Sequence, residues 1–309
     1  CPIKEIKGGA SGGIQVQEMR AGLQLEKRIK NPRGKGTPKE IIEKLEKAIL
    51  LSIRENTKDI REGALLFSGG VDSTLLAILL RKRIKLRCYS AGFEGCPDLV
   101  WSKRIAKKLG LKLRIVIITE ESLERALPRV VSILGEPNPV KVGIALPFYF
   151  CMKECSEKTI FSGLGTEELF AGYQRHQRAL VEGGYEAVEE EIKRGLQTMK
   201  ERDLDRDKKI ASAFSKELRF PFLHEEVVKV ALRIPAKDKI SKGRLKKIPV
   251  RVIAERMGVP KEVVERPKKA VQYGSWVNKA MRKLAKRHGK RLSDYVTEIF
   301  STTATSNAP

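Results

Sequence analysis

The sequence predicts an α/β fold, a parallel, doubly wound sheet followed by a mostly helical C-terminal half. Short apolar runs alternate with helical patterns as far as about residue 160, which indicates a parallel sheet covered by helices on both faces. Beyond about residue 180 the patterns are helical, without clear strands. The predicted strands are residues 65–67, 85–91, 113–118 and 158–161.

Helical patterns and changes in composition divide the chain into four segments. Residues 1–37 are rich in glycine and basic residues and are expected to form an arm or remnant. Residues 38–180 hold the sheet and begin with a helix marked by Thr37, Pro38 and Glu40. Residues 181–300 form the helical part, with helices expected at 185–200, 207–214, 225–232, 245–257 and 277–287. Residues 301–309 are small and polar and are expected to be a disordered tail.

The composition predicts a cytoplasmic protein without a membrane partner. Of its 309 residues, 41% are hydrophobic and 32% charged, and no apolar run reaches the length of a membrane span or resembles a signal-peptide core. The cysteines are scattered and odd in number, which favours reduced, buried thiols over a disulfide framework.

The positive charge of the chain is concentrated in its second half. The formal net charge is +24, and residues 237–291 hold 19 Lys or Arg residues against 4 Asp or Glu residues. Such a segment could contact an RNA backbone. It could equally be a lysine-rich solvated surface of the kind that hyperthermophiles favour, or supply residues that face a polyphosphate.

A glycine turn joins the first strand to a helix and carries the first functional motif, Ser68-Gly69-Gly70-Val71-Asp72-Ser73. A strand, a glycine turn and a helix start present backbone N–H groups to a phosphate. Asp72 would repel that phosphate unless a divalent metal lies between them. Because no lysine follows the glycines, the motif differs from the Gly-x4-Gly-Lys-Ser/Thr phosphate loop.

A second glycine turn follows the fourth strand, in the stretch Ser162-Gly163-Leu164-Gly165-Thr166-Glu167-Glu168-Leu169-Phe170-Ala171-Gly172-Tyr173. Glu167 and Glu168 open a helix, where acidic residues favour the helix dipole. Because both turns follow parallel strands, we expect them at the same edge of the sheet.

The two motifs together resemble a known enzyme family. The first resembles the SGGxDS loop of the ATP pyrophosphatases, and the second resembles the SGxGxDELFGGY block of the synthetase domain of asparagine synthetases. The resemblance is strongest to the asparagine-synthetase-like proteins of archaea and to the eukaryotic asparagine-synthetase domain-containing proteins. It implies an adenine nucleotide alpha hydrolase-like fold, with residues 38–180 as the ATP-pyrophosphatase domain and 181–300 completing the active site. Further similar blocks follow in the same order: Tyr89-Ser90-Ala91-Gly92, Pro97-Asp98-Leu99, Arg206-Asp207 with Ile210-Ala211, Glu217 to Leu223, and Arg266-Pro267-Lys268.

The resemblance implies a role for each matching residue. Asp72 and Glu167 are expected to bind Mg²⁺, and Lys268 to stabilise charge that develops on the α-phosphate. The remaining matches are expected to bind ATP: Phe67, Ala91 and Gly92 along the adenine, Ser162 and Gly163 against the nucleotide or acyl-adenylate, and Ser68, Gly69, Gly70, Val71, Asp72 and Ser73 around the phosphates.

The chain departs from the family pattern at several positions. Leu164 stands where the asparagine synthetases carry a glutamate that is linked to forming the adenylate and handling ammonia. Glu167 and His224 stand where the family usually has aspartate. No glutaminase domain is recognised, so we expect free ammonia, a separate glutaminase subunit, another amine acceptor, or a lost amide-forming step.

These observations predict an ATP-dependent, AMP- and pyrophosphate-forming carbon–nitrogen ligase of asparagine synthetase type. It would adenylate the carboxylate of aspartate or a related acid, with ATP and Mg²⁺ as cofactors. One alternative is an enzyme that modifies tRNA by adenylating a base oxygen, which the basic region favours. Another is an ATP-binding protein without ligase turnover that docks on RNA, which Leu164 favours.

Overall fold

A five-stranded, all-parallel sheet lies at the centre of the molecule. The computed structural model describes residues 38–242, 246–266 and 271–306, and the strand order is β3-β2-β1-β4-β5. The predicted α/β fold with a parallel sheet is therefore confirmed. The strands are β1 (Glu62–Leu66), β2 (Lys85–Phe93), β3 (Leu113–Ile118), β4 (Thr159–Phe161) and β5 (Glu217–Arg219).

The chain builds this sheet outward in two directions from β1. It passes from β1 to β2 and β3 on one side, and then returns to place β4 and β5 on the other side. Leu65 of β1 pairs with Cys88 of β2 and with Phe161 of β4. The direction of winding therefore reverses between β1 and β4, and ligands of open parallel sheets bind at such a switch point.

Helices cover both faces of the sheet and form most of the second half. A Gly183–Gly184 kink interrupts the long helix α7, because glycine readily adopts the non-helical φ and ψ angles found there. The helices are α1 (Pro38–Thr57), α2 (Val71–Leu80), α3 (Pro97–Leu109), α4 (Glu120–Leu134), α5 (Pro139–Glu154), α6 (Thr166–Leu169), α7 (Gln174–Met199), a π-helix (Lys200–Leu204), α8 (Asp205–Ser212), a 3₁₀-helix (Pro221–Leu223), α9 (Glu225–Ala231), α10 (Ala236–Lys239), α11 (Ile248–Arg256), α12 (Lys261–Val264), α13 (Val271–Gly274), α14 (Val277–Arg287) and α15 (Leu292–Ser306).

Two apolar clusters, one on each face of the sheet, form the core. Neighbouring residues of β1 point to opposite faces, so Leu65 belongs to the cluster that includes α1, α2 and α11. Ala64 belongs to the cluster that includes α4, α5, α14 and α15. Burial on both faces explains why the central strands are apolar runs rather than alternating patterns. Each helix that the structure describes is too short or too polar to span a bilayer.

One expectation about the second half is wrong. It contributes a strand, β5, which pairs in parallel with β4 through Leu218 and Ile160. The helix α15 includes residues 301–306, and the expected division of the chain into four segments stays a prediction. Three residues, with a single apolar side chain between Glu217 and Arg219, are too short for a strand pattern to be detected. The arm at 1–37 lies outside the described residues, as do 307–309.

Candidate active site

The first glycine loop leads from β1 into α2 and is held in shape by its own serines. The backbone N–H of Ser68 donates to Oγ of Ser73 at 3.3 Å, and the N–H of Gly70 donates to Oγ of Ser68 at 3.3 Å. Gly69 has a φ of 67°, a left-handed conformation that glycine adopts without steric cost. The turn places the first residues of α2 at the carboxyl end of β1, in the geometry that binds anions at a helix start.

The second glycine loop lies directly against the first. A Cβ on Gly163 would lie 3.2 Å from Cβ of Asp72, and a Cβ on Gly165 would lie 2.3 Å from a methyl group of Leu223. The loop is fixed at its start by the N–H of Ser162, which donates to the carbonyl of Arg219 at 3.1 Å. The glycines of this motif therefore permit close approach, and they bring the carboxyl ends of β1 and β4 together.

Asp72 and Glu167, the two expected metal ligands, converge on one ammonium group. Nζ of Lys247 donates to Oδ2 of Asp72 at 2.6 Å and to Oε1 of Glu167 at 2.7 Å. The Lys247 side chain is 3% exposed, against 6% for Asp72 and 16% for Glu167. The structure therefore brings together two carboxylates from different motifs, at the switch point between β1 and β4.

Gly172 allows this convergence. A Cβ at Gly172 would lie 2.0 Å from Oε2 of Glu167 and 2.7 Å from Cε of Lys247. Its φ is not positive, so a glycine is needed here for space rather than for backbone conformation. The small residue at the end of the second motif therefore leaves room for the carboxylate and the lysine stem.

The donor set fits a magnesium ion shared with phosphates. Oδ1 of Asp72 is buried, and no hydrogen-bond partner for it occurs among the described residues. Within residues 38–242, 246–266 and 271–306 no group of three or more acidic, His or Cys side chains could cage a metal. Mg²⁺ commonly takes one or two carboxylates and completes its octahedron with water and phosphate oxygens, which two carboxylates beside a phosphate loop can satisfy.

The expected adenine-side residues lie where β1 and β2 end. The N–H of Phe67 donates to the carbonyl of Tyr89 at 2.8 Å, and the Phe67 ring is buried in the core. Ala91 is also buried, so Phe67 and Ala91 offer backbone more than side chain. A Cβ on Gly92 would lie 3.4 Å from Cα of Ser275. The segment at Ser275 therefore covers the end of β2.

Trp101 of α3 links the glycine loop at Ser68–Ser73 to the segment that precedes Lys268. Its indole N–H donates to the carbonyl of Gly69 at 2.8 Å, and the guanidinium of Arg266 lies 4.1 Å from its ring centroid. Lys268 itself lies outside the described residues, so its predicted role stays a prediction.

Arg251 connects the turn at Lys246 and Lys247 to the segment from Val264 to Arg266. Its guanidinium donates to the carbonyl of Lys246 at 2.6 Å and to the carbonyls of Val264 and Arg266. One buried side chain thus connects the turn that carries Lys247 to the approach to Lys268. Lys247, Trp101 and Arg251 were missed from the sequence, because nothing in a basic stretch or an amphipathic helix marks one such residue as inward-facing.

A buried network of hydrogen bonds and ion pairs holds the second motif through Glu168. Oε1 of Glu168 accepts from the Tyr173 hydroxyl at 2.6 Å and from Arg202 at 2.7 Å. Burial raises the pKa of Glu168, whereas burial lowers the pKa of the enclosed His176 to about 3, so that imidazole is neutral. Arg202 lies in the π-helix, a distortion that often marks functional regions. Glu168 therefore anchors the motif, while its neighbour Glu167 faces the site.

Known proteins of one family are similar to this chain. The family model described as asparagine synthase matches residues 44–187 and 180–308. The chain belongs to the asparagine synthase family. A candidate glutamine-hydrolysing asparagine synthetase of Methanocaldococcus jannaschii is 33% identical over 294 residues, which cover 83% of this chain and 54% of that protein. The glutamine-hydrolysing asparagine synthetase of Gallus gallus is 31% identical over 235 residues, 72% of this chain and 41% of that protein.

The chain spans about half the length of these asparagine synthetase relatives. The corresponding Homo sapiens enzyme is 32% identical over 228 residues, 70% of this chain and 40% of that protein. Among solved structures, NMN synthetase from Francisella tularensis is similar, with 13% identity, a TM-score of 0.42, and coverage of 88% of this chain and 94% of that chain.

The structure shows the contacts of two residues, His224 and Leu164, that depart from the asparagine synthetase pattern. His224 is the N-cap of α9, where its Nδ1 accepts from the N–H of Glu226 at 3.3 Å. It therefore performs the capping that an aspartate would perform. The Leu164 side chain is half-buried and packs against the apolar cluster on the α4–α5 face of the sheet. The position at which the resemblance implies a glutamate in the asparagine synthetases thus carries a packed apolar side chain in this chain.

Proposed function

We propose that this chain is an ATP-dependent ligase that activates a carboxylic acid by adenylation and passes the acyl group to an amine. The supporting observation is the convergence of Asp72 and Glu167, from separate glycine motifs, at the switch point of the sheet. Membership of the asparagine synthase family supports aspartate or a related acid as the substrate and ATP as the nucleotide.

In the proposed reaction an oxygen of the substrate carboxylate bonds to the α-phosphorus of ATP, and the bond to pyrophosphate breaks. The serines and N–H groups of the Ser68–Ser73 loop bind the phosphates, and Lys268 stabilises charge on the α-phosphate. Asp72 and Glu167 would hold Mg²⁺, which would supply neutralisation of the phosphate charge. The amine nitrogen then bonds to the acyl carbon and releases a proton to solvent, and AMP leaves with the carboxylate oxygen.

The proposed amine is ammonia released by a glutaminase domain or subunit that acts beside this chain, because Leu164 is expected to make the use of free ammonia weak. We place the reaction in the cytoplasm, because the cysteines of the described segments are free and buried. An RNA substrate receives less support than the composition suggests. Lys247 and Arg251 face inward, and Lys283 and Arg287 both contact Glu120.

A pyrophosphate-release assay tests this proposal against its alternatives. The purified chain is incubated with Mg·ATP, and aspartate, ammonium and tRNA are added or omitted singly. Pyrophosphate release that depends on aspartate supports the ligase. Pyrophosphate release that depends on tRNA would contradict the ligase and support an RNA-modifying enzyme. Asp72→Asn should abolish release without loss of fold, whereas Glu62→Gln, at an exposed position in β1, is the matched control.

A further inference from the structure

Lys247 occupies the point at which the two proposed metal ligands meet. We propose that its ammonium is an exchangeable counter-ion, which holds Asp72 and Glu167 together in the metal-free protein and leaves when a divalent cation binds. This inference rests on the proposed function, because it takes Asp72 and Glu167 as the metal ligands. It adds a residue that neither the motifs nor the comparisons assign.

The ammonium of Lys247 carries one positive charge against two carboxylates, and Lys246 and Arg251 add electrostatic attraction from nearby. One ammonium contacts two carboxylates, and a second oxygen of Asp72 is buried without a hydrogen-bond partner among the described residues. A divalent cation would neutralise the pair and could use that oxygen. Mg²⁺ and the ammonium repel each other at this short range, so binding of the metal weakens the contacts of the ammonium with the same carboxylates.

The backbone conformation at Lys247 indicates that the lysine side chain has a function. Its φ is 57° and its ψ is 41°, a left-handed conformation that costs free energy for every residue except glycine. Arg251 holds this turn through the carbonyl of Lys246, and the N–H of Arg251 donates to the carbonyl of Lys247 at 3.0 Å. A glycine would fit the turn with less strain, so the strain points to a function of the side chain.

We expect the ammonium to move by rotation within its own stem. The stem of Lys247 lies beside Gly172, whose missing Cβ would lie 2.7 Å from Cε of the lysine, so residue 172 has no side chain that would block the stem. A lysine carries its ammonium on a flexible stem, so rotation of the stem bonds turns the ammonium without a change in backbone. The phosphates expected at the Ser68–Ser73 loop offer it a new anionic partner.

Manganese binding tests the exchange directly. Mn²⁺ accepts the same oxygen ligands as Mg²⁺, and free Mn²⁺ gives a quantifiable electron paramagnetic resonance signal. The purified, nucleotide-free full chain is titrated with Mn²⁺ as wild type, Lys247→Met and Lys246→Met. Lys246 is the matched control because it neighbours the site but donates to Gln174 at 2.8 Å.

We expect Lys247→Met to bind Mn²⁺ about tenfold more tightly than wild type, and Lys246→Met to change affinity by much less. In metal-free buffer Lys247→Met should also melt earlier than wild type, and Mn²⁺ should restore its melting temperature. Equal affinity of wild type and Lys247→Met, or an equal gain in both methionine variants, would overturn the exchange.

A second variant covers the case in which Lys247→Met does not fold. Lys247→Arg keeps the charge and can bind carboxylates with two N–H groups, so it should resist displacement and weaken Mn²⁺ binding about tenfold. Unchanged Mn²⁺ affinity in Lys247→Arg would contradict the proposal.

Asp72→Asn distinguishes a failure of the exchange from a failure of the metal-ligand assignment. If it binds Mn²⁺ as wild type does, the metal ligands themselves are wrongly assigned, whereas failure of the lysine variants alone removes only the exchange.

Discussion

The ammonium nitrogen of Lys247 lies 2.6 Å from Oδ2 of Asp72, although 175 positions separate the two residues in the sequence. The contact joins the phosphate loop to the basic second half of the chain. Part of the positive charge of residues 237–291 therefore lies inside the candidate active site rather than on the surface.

Gly172→Ala should impair catalysis more than folding. The added methyl group would meet Oε2 of Glu167 at 2.0 Å and must displace the carboxylate, the lysine stem or both. A displacement of about 1 Å in a catalytic site can cost about 10²-fold in rate. Steady-state pyrophosphate release and thermal melting are measured side by side. The control is Gly143→Ala in α5, where the nearest atoms lie at 3.6 Å, and wild-type activity in Gly172→Ala would refute the close-packing argument.

Trp101→Phe should weaken ATP binding about fivefold. The substitution keeps a ring beneath Arg266 but removes the hydrogen bond from the indole N–H to Gly69, which is worth about 1 kcal/mol. Calorimetry of ATP binding provides the measurement. Tyr185→Phe, at an exposed position in α7, should leave the affinity unchanged. If Trp101→Phe binds ATP as wild type does, the indole does not position the loop.

Lys268→Ala should lower kcat by about 10²-fold with little change in ATP affinity, because the predicted donor acts on charge that develops in the transition state. Lys269→Ala removes an adjacent positive charge and is the matched control. Equal losses in the two variants would indicate a general effect of charge. A loss of ATP affinity without a loss of kcat would make Lys268 an ordinary phosphate contact.

Leu164 should limit asparagine formation from aspartate and free ammonia, which we expect to be weak or absent in the wild-type chain. A leucine cannot accept a proton, and its apolar side chain packs against the core. Leu164→Glu should raise the yield of asparagine, although burial of the new carboxylate should lower the melting temperature. Leu164→Gln is the control, because glutamine adds a polar side chain without adding a base. Strong wild-type synthesis that Leu164→Glu leaves unchanged or reduces would contradict this interpretation.

The sequence predicted the elements whose signals are local. The turn at Gly69 and Gly70 follows an apolar strand and precedes an apolar helix, so pattern and chemistry agree there. The strand β5 was missed because three residues carry too little periodicity. Lys247 was missed for a different reason, since its role depends on a left-handed turn and on a glycine 75 positions away, neither of which a basic stretch reveals. Long-range placement of charged side chains thus required the structure.

Isotope transfer is the most direct measurement of the proposed adenylation. Aspartate labelled with ¹⁸O in its carboxylates is incubated with the chain, Mg·ATP and ammonium, and the AMP is isolated for mass spectrometry. If a carboxylate oxygen attacks the α-phosphorus, each AMP formed with aspartate should carry one ¹⁸O atom, and Asp72→Asn should form none. Unlabelled AMP, or ADP and phosphate in place of AMP and pyrophosphate, would contradict the proposed reaction.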